Sequence, residues 1–443
     1  MRHWLQDGPL RSVLRNAGYL GSTKIIGAVF GVVALSCAGR ALGPEMFGIL
    51  TLIHTYALGA NALTNFQSWQ VVIRYGAPAL ARGDEDTAGA AISLSLGLDI
   101  ASGLVGMVAG MLLLPLLAAR FGISGDWVWA AIAYCTIVPS MASATPTGVL
   151  RLLDRFDLIA LQQPATPIVR CALAVAALWS GLGLPGFVVA WYVADLVGDA
   201  MLWVLALREL SRRDMLRHVR PGLRLPAARL PGSWHFVWTT NMSTSLGAGW
   251  GPVGNLMIGA ILGPAAAGVY KVASTLLDAA GKPADMLSKG FYPEIMRLDP
   301  HGPEPWRLAV RSGAISGAVG IALGLVVVLA AEHIIDGIFG HRYLPAAGIL
   351  SVMTLALAIS MATFPFQSLL YMAGRQTDAL AAQAVATGIY LVTLAALCVT
   401  FGLMGAAIAY VVGNVAVSIL MGLYVHVAHS RLRGRSTIET AAA

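Results

Sequence analysis

Charge is what this chain has least of. Asp, Glu, Lys and Arg make up only 12% of its 443 residues, about half the roughly 25% usual in a soluble domain, so a soluble globular fold is excluded. Cysteine is scarce as well. Cys37, Cys135, Cys171 and Cys398 stand singly, which leaves no CxxC metal spacing and no disulfide framework. No GxxxxGK[ST] phosphate loop, no HExxH and no GxSxG stands out, so ATP hydrolysis by a phosphate loop and those hydrolase chemistries have no support. Neither a metal nor a cofactor is expected.

What is abundant is apolar sequence. Hydrophobic residues reach 57% and the mean hydropathy is +0.73. They come in repeated runs of about the 20 residues that cross a hydrocarbon core as a helix. The pattern predicts twelve spans, at 17–39, 47–70, 88–117, 127–149, 158–180, 186–207, 236–262, 267–291, 308–331, 345–371, 379–401 and 403–427. The amphipathic stub from Arg2 to Arg15 leads into a full-length span rather than a short cleavable one, so span 1 is expected to be retained. The fold class predicted is all-α and integral to the membrane.

Orientation follows from Lys and Arg, which cytoplasmic loops retain. With the N-terminus inside, 22 of the 29 basic residues fall in inner segments, seven of them arginines between Arg208 and Arg229. Arg40, Arg120 and Arg342 alone fall outside, and Lys24, Arg170, Lys271 and Lys282 lie within spans. Both termini are therefore expected in the cytoplasm of a cell whose inner membrane holds the protein. The net charge of +7 is explained by topology and anionic headgroups, and no nucleic-acid role is assigned.

The chain repeats itself. Ala41-Leu42-Gly43-Pro44 returns as Ile261-Leu262-Gly263-Pro264 at an offset of 220, Arg155 falls on Arg375 at the same offset, and Gly186 to Val193 matches Gly405 to Val412 at 219. Three matches in order at nearly one offset indicate a duplicated six-span unit. An even number of spans preserves the sense of insertion, so the halves are parallel repeats, as in transporters whose substrate path runs between two lobes. The organisation predicted is a first lobe at 1–207, a basic linker at 208–234, a second lobe at 235–428 and a cytoplasmic tail at 429–443.

Ionisable residues inside a bilayer are costly and face a cavity or a partner. In span 8, Lys271, Thr275, Asp278, Lys282, Asp285 and Lys289 follow at steps of 4, 3, 4, 3 and 4, one helix face about 27 Å long. Span 2 carries an uncharged counterpart in His54, Asn61, Asn65 and Ser68. Both faces are expected to line a hydrated cavity; the alternative is that they glue helices together, with Asp278 neutralising Lys282 and Asp285 neutralising Lys289. Lys24 and Arg170 lack an obvious local acidic partner and suit a phosphate-bearing substrate; snorkelling for Lys24 and an interhelical role for Arg170 are the alternatives. Asp99, Asp195 and Asp199 are acids within spans that fit either proton relay or helix pairing. Prolines 139, 146, 164, 167, 283 and 365 are expected to interrupt spans.

The turn Ala41 to Gly48, its echo Leu262-Gly263-Pro264 with Gly268-Val269-Tyr270, Tyr292-Pro293-Glu294, Ala373-Gly374-Arg375-Gln376 and Gly402-Leu403-Met404-Gly405-Ala406-Ala407 resemble the polysaccharide (oligosaccharide-lipid) flippase family. That family belongs to the multidrug, oligosaccharidyl-lipid and polysaccharide exporter superfamily. The resemblance implies a V-shaped two-lobe transporter of alternating access, not an enzyme. Its cargo would be a polyprenyl (undecaprenyl)-diphosphate-linked oligosaccharide, carried from the cytoplasmic to the periplasmic leaflet for exopolysaccharide, capsule or O-antigen synthesis. Substrate-binding residues would be Lys24, His54, Asn61, Asn65, Arg170, Lys271, Asp278, Lys282 and Asp285. Expected partners are the lipid-linked oligosaccharide, membrane lipids, and a polysaccharide polymerase and glycosyltransferases. Position 255, where the resemblance implies an acid, holds Asn255. The competing readings are a cation-coupled multidrug exporter, disfavoured by Lys24 in a span 1 that has no acid, and a membrane enzyme of polysaccharide assembly, disfavoured by short, nearly uncharged outer loops.

Overall fold

Two Gly-Pro pairs fold the chain back at equivalent places. In a computed structural model, Gly43 takes φ 70°, ψ 173° and Gly263 takes φ 85°, ψ 174°, a backbone region open to glycine and closed to residues with a Cβ. The proline that follows each one opens the next helix, where its missing N–H costs nothing. The structure describes residues 8–238, 249–299 and 302–442, without the side chains of 8–25, 283–290, 293 and 431–442. Every element among the described residues is helical.

Eight helices among them are long and apolar enough to cross a membrane. Two of these each carry a pair of spans. Gly8–Thr64 leaves helical geometry at Gly43, and Gln376–Ala442 does so at Gly402 (φ 58°, ψ −138°). Of span 7, expected over 236–262, residues 239–248 lie outside the described residues and the rest includes the apolar stretch Gly249–Leu262; span 8 is Pro264–Ile295, whose charged stripe lowers its hydropathy. Each of the twelve expected spans is thus represented by helix among the described residues. Spans 3, 6 and 9 are Glu85–Ala118, Gly183–Arg212 and Glu304–Phe339.

The prolines break the helices where a lost hydrogen bond would fall. Span 4 runs as Asp126–Tyr134, a 3-10 turn Cys135–Ile137, Val138–Met141 and Ala144–Leu152. Span 5 restarts at Ala165 after Pro164, and span 10 restarts at Pro365. Pro283 does not interrupt its helix, which continues through it to Ile295.

The described chain divides into two compact units, Met1–Ala248 and Gly249–Ala443. Their internal likeness extends to hydrogen bonds. After span 4 the Arg155 amide donates to the Leu150 carbonyl at 2.7 Å and Asp154 has φ 56°; after span 10 the Arg375 amide donates to Leu370 at 2.8 Å and Gly374 has φ 69°. Each is a six-to-one helix-ending turn, and each arginine then pairs with a following acid, Asp157 or Asp378. The duplication is thus one of conformation as well as of residues.

Small residues set the packing within each unit. Gly313, Gly317 and Gly320 of span 9 lie so close to Ala362, Ala358 and Met361 of span 10 that any Cβ would meet them at 3.1 Å or less, a close backbone approach of the kind membrane helices favour. Outward faces remain apolar, with Leu116 75% and Leu329 72% exposed, as contact with lipid requires.

The arginine-rich segment 208–234, expected to link the lobes, lies on the first unit. Met215 and Leu230 are buried among residues of spans 3, 4 and 6 and of the segment between spans 2 and 3. Ser93 accepts the Gly222 amide at its carbonyl (3.4 Å) and the Arg220 amide at its hydroxyl (2.9 Å), and Tyr75 donates to the Pro231 carbonyl (3.0 Å). Gly97 permits this contact, because a Cβ there would stand 2.5 Å from the Gly222 carbonyl oxygen. Gly97→Ala should displace the segment at a cost of about 1–3 kcal/mol, the usual range for overpacking. Limited trypsin digestion would detect it as faster cleavage between Arg208 and Arg229; an unchanged digestion pattern would contradict pinning at Gly97.

Candidate functional site

The polar faces predicted on spans 2 and 8 fall in different units, and each builds a site of its own. In the first unit the centre is Asp195 of span 6. Its Oδ2 lies 3.1 Å from His54 Nε2 and accepts the Tyr134 hydroxyl at 3.4 Å, while its Oδ1 accepts a short hydrogen bond from Arg170 Nη2. Four spans supply these groups. Span 2 brings His54 after the Gly43-Pro44 turn, span 4 presents Tyr134 just before its 3-10 turn, and span 5 carries Arg170 on the helix that restarts after Pro164.

The cluster is largely closed to solvent, with side chains of His54, Asp195 and Arg170 15%, 10% and 19% exposed. Charges withdrawn this far from water need a partner, and Arg170 finds one in Asp195 rather than standing as the lone cation that span 5 by itself suggested. Its guanidinium also lies 5.4 Å from the centre of the Trp191 ring, a cation–π distance. One turn beyond Asp195, Asp199 Oδ2 accepts the Ser140 hydroxyl at 3.1 Å.

Asp99 has a different task. It is 1% exposed, and it accepts the Ser68 hydroxyl at 2.5 Å and the Thr145 amide at 2.7 Å. Thr145 opens the last helical piece of span 4, so span 3 caps the break in span 4. Of the two roles open to Asp99, helix pairing is the one its contacts describe.

The polar face of span 2 is therefore divided. The helix of span 2 ends at Thr64, so of the predicted face His54 and Asn61 lie on it while Asn65 and Ser68 fall beyond it. His54 and Ser68 bind acids of spans 6 and 3, whereas the buried Asn61 Oδ1 and Asn65 Oδ1 accept no hydrogen bond among the described residues. Arg170 Nε is likewise unused. Buried polar atoms are normally hydrogen-bonded, so these three stand out among the described side chains.

In the second unit, Asp278 and Lys282 line a cavity of about 170 Å³ with Leu277, Gly281, Ser360 and Tyr410. Tyr410 packs edge-on against Trp250 at 5.9 Å, and Trp250 stacks flat on Tyr390 at 4.6 Å with its indole N–H donating to Thr387 at 2.8 Å. An aromatic wall thus stands behind one charged face. Lys271 is half-buried further along the same helix. The side chains of Lys24 and Asp285 lie outside the described residues. No group of three His, Cys, Asp or Glu able to hold a metal occurs among the described residues.

Asp195 and Tyr134 join this cluster without standing among the substrate-binding residues that the sequence suggests. An acid in span 6 was visible there, but nothing in the local spacing joins it to span 5 or span 2.

Two units of six spans, each with a polar cluster inside a lipid-facing shell, define a multi-pass membrane protein with the fold of the multidrug and polysaccharide exporter (MOP) superfamily. The lipid II flippase MurJ in an inward closed conformation superposes with a TM-score of 0.69 at 12% identity, covering 95% of this chain and 90% of that one. An inward-facing multidrug resistance MATE family transporter of the MOP superfamily gives 0.63 at 16%, covering 94% and 95%. A MOP superfamily transporter from Pyrococcus furiosus gives 0.61 at 14%, covering 97% and 98%. A family model for polysaccharide biosynthesis proteins matches residues 13–282, and the chain belongs to that family. It is 44% identical over 346 residues to the inner membrane protein YghQ of Escherichia coli K12, covering 78% of this chain and 98% of YghQ.

Proposed function

We propose that this protein is a flippase that carries an undecaprenyl-diphosphate-linked oligosaccharide from the cytoplasmic to the periplasmic leaflet of the inner membrane by alternating access. Membership of the polysaccharide biosynthesis family carries this reading; the flippase activity of a protein of the same fold supports it. The intramembrane chemistry is compatible with such a cargo. Open amide oxygens on Asn61 and Asn65 and the unused Arg170 Nε in the first unit, with Lys282 and Ser360 at a cavity in the second, offer partners for hydroxyls and for phosphate oxygens. Transport rather than bond-making chemistry is the role assigned, with both termini in the cytoplasm and polymerase and glycosyltransferases as the enzymes that act on the same lipid.

The test is deletion of the gene in its host followed by analysis of lipid-linked glycans in each leaflet. Complete oligosaccharide-lipid held in the cytoplasmic leaflet is the expected result. Normal translocation with an unpolymerised glycan would instead indicate an assembly enzyme, and unchanged glycans with new drug sensitivity would indicate an exporter of small molecules.

A further inference from the structure

A groove of about 330 Å³ opens where span 9 begins, lined by Pro303, Trp306, Arg307, Val310, Arg311 and His429. Arg307 and Arg311 are both exposed and one helical turn apart, so their side chains project side by side. Neither forms an ion pair with a carboxylate among the described residues, although Glu304 stands on the same first turn. Two adjacent guanidiniums, neither ion-paired with a carboxylate among the described residues, make a fork suited to the oxygens of one phosphate group.

What adjoins them decides the kind of phosphate. At 100° per residue, the face that bears Arg307 and Arg311 continues as Ile315, Ile321, Leu325 and Leu329, and these four are 67%, 66%, 59% and 72% exposed. One face of one helix thus presents two cations at its start and then about 27 Å of uncovered hydrocarbon, at a rise of 1.5 Å per residue from Arg311 to Leu329. A free phosphate ester would use the first part only. Trp306 lines the groove beside the arginines with its ring 4.2 Å from that of His429, and tryptophan is the residue type enriched where headgroups meet acyl chains.

We propose that this groove is a binding site for an anionic glycerophospholipid, its phosphate held by Arg307 and Arg311 and an acyl chain lying along Ile315 to Leu329. The site belongs to the second unit alone, lies on its lipid-facing surface and is independent of the transported cargo. A basic pocket at a membrane surface is a recognised setting for such headgroups.

The purified full-length protein would be placed in nanodiscs of phosphatidylcholine with a small fraction of phosphatidylglycerol, and the lipids retained after mild extraction counted by native mass spectrometry. Phosphatidylglycerol should be enriched about tenfold over phosphatidylcholine, the ratio that about 1.4 kcal/mol of preference gives. Arg307→Gln/Arg311→Gln should abolish the enrichment while keeping the native melting temperature in detergent, and Arg307→Lys/Arg311→Lys should keep part of the enrichment. Equal retention of both lipids by the native protein, or enrichment surviving in the glutamine variant, would overturn the proposal. So would competition by glycerol 3-phosphate in water at concentrations near those of the lipid, because that result assigns the groove to a free phosphate ester.

Discussion

Asp195→Ala should destabilise the first unit and stop translocation together. Three groups from three other spans converge on that carboxylate. Its removal leaves the largely buried Arg170 guanidinium without its acid, beside the Trp191 face. Breaking one half of a buried pair costs about 3–5 kcal/mol, so the melting temperature in detergent and the amount of protein in the membrane should both fall. The double variant Asp195→Ala/Arg170→Ala separates the causes. With both charges gone, most of the stability should return, while translocation stays lost because Arg170 no longer offers its guanidinium to the cargo. A double variant as unstable as the single one would show that the pairing is not what Asp195 contributes.

Lys282→Ala should do the opposite: leave the fold intact and reduce translocation by at least about tenfold, the loss of roughly 1.4 kcal/mol in the transport step. Lys282 is an exposed side chain on a cavity wall, so truncating it creates no void in a packed interior. Membrane levels and melting temperature should match those of the native protein. Lys282→Arg should restore a substantial part of the rate if a positive charge at that point is what the cargo meets. Native translocation by Lys282→Ala would remove this cavity from the transport path.

The two results differ because burial differs. Arg170 and Lys282 look alike in the sequence, as basic residues inside predicted spans. One is largely buried against an acid of another span, and the other is exposed on a cavity wall. Hydrophobic periodicity reports how far a residue lies along a span and on which face, and the span 8 stripe at steps of three and four was legible for that reason. Which helix that face meets depends on packing between segments distant in sequence. Arg170 and Asp195 are 25 residues apart and His54 and Asp195 are 141 apart, beyond the reach of any local pattern.

Much of the architecture needs no tertiary information. Twelve hydrophobic runs, the Gly-Pro turns at 43 and 263, the proline breaks in spans 4, 5 and 10 and the duplication near offset 220 are all visible in the residues, because chain length, backbone sterics and the missing proline N–H act locally. Pro283 shows the limit of that reasoning, since its helix tolerates it.

The segment 208–234 shows a second limit. Rich in arginine and proline, it has the composition of a linker, yet Met215 and Leu230 bury themselves in the first unit. Apolar side chains scattered among arginines and prolines do not announce a docking site; the complementary half is the small-residue face of span 3 at Gly89, Ser93 and Gly97. The sequence alone settled which segments enter the membrane and that six of them repeat, since burying apolar helices in lipid is a property of each segment by itself. Only the tertiary structure decided that His54, Tyr134 and Arg170 share one carboxylate and that Asp99 caps a broken helix, because a buried charge is satisfied by whichever neighbour packing brings within reach.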